Sequence, residues 1–168
     1  MYVLRWSVAK KKNAAAAAIR EEPEEAAAPQ ADALVQRHLR WGWWSIALFT
    51  LFGLFLEAGH GLKLGWYLDA GNATRRLSFT LGHAHGTLLG FANIAFALSF
   101  KHAKLSDVSA SRASIALLAA TVLMPLGFIA GGFGFYAGDP GLAIALVPPG
   151  ALLLVVATLL IARGFRKR

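Results

Sequence analysis

From residue 41 onward the chain alternates long apolar runs with short polar joints, the runs lying at about 41–62, 78–100, 113–136 and 141–162. They lack the period of two that marks a half-buried strand and the single apolar stripe that marks a surface helix. Each is close to the ~20 residues an α-helix needs to cross ~30 Å of hydrocarbon. Lipid offers the backbone no hydrogen bonds, so spanning segments are helices or closed barrels, and four blocks cannot close a barrel. Short joints make neighbours in sequence antiparallel neighbours in space. The pattern predicts an all-α fold: a membrane-spanning antiparallel four-helix bundle over residues 41–163.

The flanks read differently. Residues 1–40 open on the basic "MYVLRWSVAKKK", with no apolar run long enough for a signal peptide. An Ala/Glu/Pro segment follows, with Glu21, Glu22, Glu24 and Glu25 around Pro23. With no apolar face to bury, this segment is expected to be a largely disordered tail. Residues 164–168 form a second, basic tail.

Composition supports the membrane reading: 57% of residues are hydrophobic and 15% charged, against about 25% charged in soluble domains. There is no cysteine, which excludes disulfides, thiolate zinc sites, cysteine-held iron–sulfur clusters and covalent c-type haem. A net charge of +8 would point a soluble protein towards nucleic acid. Here the charges cap the apolar blocks and set topology, so no nucleic-acid partner is expected. With the amino terminus inside, fourteen Lys/Arg lie on the inner side and three (Lys63, Arg75, Arg76) outside. That asymmetry predicts an inner or plasma membrane with both termini cytoplasmic. Trp41, Trp43 and Trp44 mark the inner interface, Trp66 and Tyr67 the outer. The lipid bilayer is the expected partner, and an exposed face of small residues would suffice for a homodimer or a larger membrane complex.

Four ionisable residues inside the apolar runs then demand a reason: Glu57, His60, His83 and His85. Counted along helices that run out and back, all four fall in one layer beneath the outer surface. Glu57 and His60 are i and i+3, on one side of the first helix. His83 and His85 lie about 200° apart and flank the row Ser78, Gly82, Gly86, Gly90, a small-xxx-small pattern that lets membrane helices approach. Gly53, Glu57 and Gly61 make a matching row, so Gly53/Gly61 are expected against Gly82/Gly86 with the four polar residues around them. Imidazoles and a carboxylate suit a transition metal (Fe, Cu or Zn), with Glu57, His60, His83 and His85 as ligands. Alternatively, imidazoles among His60, His83 and His85 could hold a b-type haem, with Glu57 orienting a ring N–H. Proton handling is a third use, and a purely structural polar cluster a fourth. Ionisable groups in a span are costly, which favours a role for all four.

Other signals are weaker. Asn93 is expected to hydrogen-bond across the bundle, His102 to be solvated, and Pro125, Pro148 and Pro149 to kink or soften the last two helices. The run "GHAHGTLLGFANIAFAL" resembles the histidine-bearing helix of small multipass proteins related to haem–copper oxidase subunit I. The resemblance covers one helix and implies haem or copper ligation by His83 or His85. The chain as a whole is similar to bacterial four-helix membrane proteins. Two functions follow as expectations: metal or haem binding for electron transfer or metal handling, or a non-catalytic accessory or scaffold subunit whose polar cluster serves helix packing.

Overall fold

The structure, a computed structural model, describes residues 31–68, 71, 73–134, 136 and 138–166. Of the tail expected to be largely disordered over residues 1–40, residues 1–30 lie outside them. The elements are α1 (Tyr2–Gly61, described from Ala31), α2 (Gly65–Leu68), α3 (Ala73–Ser99), α4 (Asp107–Phe133), a 3-10 turn (Leu142–Leu146) and α5 (Val147–Arg163). Among the described residues the only bridge is the isolated pair Tyr136 and Asp139, so the fold is all-α.

Three helical segments are long and apolar enough to cross a membrane: Ala31–Gly61, Asp107–Phe133 and Leu142–Arg163. At 27 residues, α3 has the length but not the hydropathy, because it carries His83, His85 and Asn93. Residues 31–40, placed in the tail by the sequence pattern, are helical, and α1 continues without a break into the first apolar block.

Local chemistry sets the ends. Lys63 adopts φ 53, and Leu64 N–H reaches Gly59 O (3.1 Å) while Lys63 N–H reaches His60 O (3.1 Å). This crossed pair closes α1 by satisfying its last carbonyls, with a lysine in the left-handed place glycine usually takes. Ser106 caps α4, its hydroxyl accepting from Ser109 N–H. Pro148 and Pro149 fall in the first turn of α5, where a missing N–H costs nothing, so they start that helix rather than kink it.

The long helices pack as a series, α1 on α3, α3 on α4 and α4 on α5, with only a slight contact between α1 and α4. The fourth side of a closed bundle, α5 against α1, carries no substantial contact among the described residues. Residue numbers fall along α3 as they rise along α1, since Gly42 lies on Gly90, Phe49 on Gly86 and His83 on Gly53. Burial is deepest in the middle of the series, where Phe79, Leu89, Leu117 and Ala113 are sealed. The end helix α5 fully buries only Gly150 and Ala157 and shows Leu152 and Leu159 outward. Such apolar outer faces are what lipid as solvent requires.

Candidate functional site

Near the end that carries Arg37, α1, α3 and α4 are joined by a chain of buried polar side chains. His38 (0% exposed) is its centre, with Asn93 and Ser114 equally sealed and Thr121 nearly so. Asn93 Nδ2 lies 2.8 Å from both Leu89 O and Thr121 Oγ1. A carbonyl only accepts, so the amide nitrogen must face Leu89 and the oxygen must face His38. Asn93 Oδ1 is 2.6 Å from His38 Nδ1, which therefore donates. Neutral His38 then accepts at Nε2 from the Ser114 hydroxyl (2.8 Å), which itself accepts from Arg37 Nη2 (3.2 Å). Thr121 completes the chain by donating to Leu117 O (2.7 Å). The donors between Arg37 and Leu117 O all find acceptors, Asn93 Nδ2 two of them, and the His38 tautomer follows from that order. The ring also stands edge-on to Phe96, with centroids 4.8 Å apart. Asn93 thus bonds across the helices as expected, but to a histidine that the sequence pattern had assigned to the tail.

The four residues expected to act together turn to different neighbours. His83 presses into the space left by Gly53 and donates from Nδ1 to Phe49 O on α1 (2.6 Å). His85 turns to α4, its ring 4.9 Å from that of Phe128, with Nδ1 on Leu81 O of its own helix (2.8 Å). His60 bonds Leu56 O (3.0 Å) and stands edge-on to Tyr67. Glu57 is exposed. Among the described residues no three His, Cys, Asp or Glu side chains gather as a metal-ligand set, so this end holds no four-residue cluster. The proposed glycine contact is also redistributed: Gly82 faces Ile129 and Pro125 of α4, and a Cβ on Gly61 would meet nothing within 4 Å among the described residues. The close backbone approach is Gly42 on Gly90. Ser45 reinforces it one turn away, donating to Gly86 O (2.8 Å).

The connection beyond α1 builds a second polar neighbourhood. Arg75 and Arg76 donate to Trp66 O (2.9 Å) and Tyr67 O (3.0 Å), tying α2 to the start of α3. The Arg75 guanidinium lies 5.0 Å from the centroid of the Trp66 ring, a cation–π distance. Tyr67 is 1% exposed among Leu56, Phe79 and Phe52, and among the described residues nothing meets its hydroxyl in hydrogen-bond geometry. Burial pushes this phenol above its ordinary value, while Arg76 pulls it down and Glu57 raises it further. A phenol held neutral by the fold stabilises it below its unfolded pKa of about 10, and that contribution is lost as pH rises towards the folded value. Tyr67→Phe is therefore expected to melt at or above wild type at neutral pH and to lack the alkaline decline. Thermal melts from pH 7 to 11 check this; a phenylalanine variant that declines like wild type would place the alkaline sensitivity elsewhere.

Comparison of the chain with protein-family models, with curated proteins and with solved structures yields no match. What the fold and the two neighbourhoods define is an all-helical protein whose apolar helices are compatible with a multi-pass membrane protein.

Proposed function

We propose that the chain is a multi-pass membrane protein acting as a non-catalytic helical subunit or scaffold, its intramembrane polar side chains serving to hold its own helices together. One observation carries this reading: the deepest polar groups of the helices are spent on neighbouring helices. His38, Asn93, Ser114 and Thr121 bond to one another across α1, α3 and α4, while His83 and Ser45 bond backbone carbonyls across α1 and α3. Such cross-helix bonds stabilise packing in lipid. The basic asymmetry of the sequence supports cytoplasmic termini and an inner or plasma membrane for it.

A second reading, a transition metal or b-type haem, has a specific observation in its favour. His60, His83 and His85 each commit Nδ1 to a backbone carbonyl. Ligating imidazoles are oriented in the same manner, with Nε2 left for the metal. The two readings separate on purified wild type and His83→Ala. The scaffold reading expects neither a Soret band nor stoichiometric metal in wild type, and a loss of about 1–3 kcal/mol in the variant as the cross-helix bond and ring packing disappear. One haem or metal per chain in wild type, lost on His83→Ala, would replace it with the ligand-binding reading.

A further inference from the structure

Because α1 and α4 both pack on α3 but barely touch each other, they leave an open groove of about 530 Å³ between them, lined by residues of α1 and α4. Its walls include Trp41, Trp44, Leu48 and Phe52 on one side and Val122 and Leu126 on the other. The two hydroxyls in the lining are already engaged, Ser45 donating to Gly86 O and Thr121 to Leu117 O. The groove therefore asks for hydrocarbon rather than a polar ligand.

Its mouth is of another character. Arg37 and Arg40 precede Trp41 and Trp44 by one turn, which continues the same face of α1 towards the basic end of the molecule. Arg37 is bonded to Ser114 of α4, so its guanidinium bridges the two walls where the groove ends. A guanidinium carries five donors in a fork that matches phosphate oxygens, and the Ser114 bond uses one. Arg40 is exposed beside it. An apolar slot that ends in paired guanidinium groups, with tryptophans at the boundary, has the polarity of a phospholipid. We propose that this groove seats an acyl chain of one anionic phospholipid, its phosphate held by Arg37 and Arg40. A second copy of the chain fits less well, since a two-fold contact along the groove would set these arginines against like charges at the same depth.

The proposal goes beyond the scaffold reading and holds whatever the outer histidines do. It is tested by native mass spectrometry of the full chain extracted from vesicles of equal phosphatidylglycerol and phosphatidylcholine. Wild type is expected to retain one phosphatidylglycerol with a preference of about thirtyfold over phosphatidylcholine, from roughly two nearby cationic contacts. Arg40→Gln should lower that preference several-fold, and Arg37→Gln with Arg40→Gln should bring it close to parity. Ser114→Ala, which keeps both charges, should retain it. Val122→Phe, filling the groove, should lose bound lipid of either kind, whereas Leu159→Phe on the outer face of α5 should not. Excess inorganic phosphate should leave the lipid in place; displacement by it would show a free-anion site and overturn the proposal. It would also be overturned by equal retention of both lipids in wild type, by an unchanged preference in Arg40→Gln and the double variant, or by a dimer that vanishes with Val122→Phe.

Discussion

His38→Ala is expected to cost about 2–4 kcal/mol, a large effect for one side chain outside the apolar runs. The substitution strands Asn93 Oδ1 and the Ser114 hydroxyl in a sealed interior and removes the ring that packs on Phe96. A stranded buried group costs its full desolvation, about 1–3 kcal/mol, whereas a satisfied bond contributes far less. Helix hydrogen bonds in membranes average only ~0.6 kcal/mol by double-mutant cycles, so the pair itself should be modest. Unfolding of His38→Ala, Asn93→Ala and the double variant in mixed micelles separates the two contributions. Each single change should be costly and the double change less than their sum, with a coupling of about 0.5–1.7 kcal/mol. His102→Ala, at an exposed turn between α3 and α4, should leave stability unchanged. If His38→Ala unfolds within ~0.5 kcal/mol of wild type, the chain of bonds is not a determinant of stability.

That histidine shows where sequence reading reached its limit. The apolar blocks matched the C-terminal ends of the long helices to within three residues but missed their starts by five or more. The start of α1 was misplaced since Arg37 and Arg40 look like the charged border of a span. Yet Leu34, His38, Gly42 and Ser45 are all buried at spacings of four, four and three, a helical stripe that runs through that border. Following the stripe instead of the charge would have drawn His38 into the interior. Asn93 was legible because it stood alone in an apolar run. The outer residues turn to different neighbours for another reason: depth along a helix says nothing of direction around it. His83 and His85 share a layer and face different helices.

Direction around the helix also decides which glycines matter, and it leads to the second large effect. Four residues advance a helix by about 400°, so each step along a small-xxx-small row drifts by about 40° and three steps by about 120°. On a helix with a neighbour on either side, such a row must pass from one to the other. On α3 it does: Ser78 and Gly82 face α4 at Gly132 and Ile129, while Gly86 and Gly90 face α1 at Phe49, Ile46 and Gly42. A row drawn from spacing alone assigns all four to one partner, which is why Gly61 was paired with a contact it does not make.

Gly90→Ala is accordingly expected to destabilise by about 1–3 kcal/mol, and Gly90→Leu to prevent α1 and α3 from packing at all. A Cβ on Gly90 would sit 2.9 Å from Gly42 O and 2.8 Å from Ile46 Cγ1. The isoleucine can rotate away, but the carbonyl is fixed in its helix, so the two backbones would have to separate. Separation would also lengthen the bond from Ser45 to Gly86 O, one turn along the same crossing. Gly61→Ala is the contrasting case: among the described residues nothing lies within 4 Å of a Cβ there, and alanine gains up to ~1 kcal/mol in helix propensity. Unfolding of the two alanine variants side by side should move stability in opposite directions or, at the last residue of α1, leave Gly61→Ala unchanged. Equal losses at both positions would mean that helix propensity, and not the approach of α1 to α3, governs the glycines of this fold.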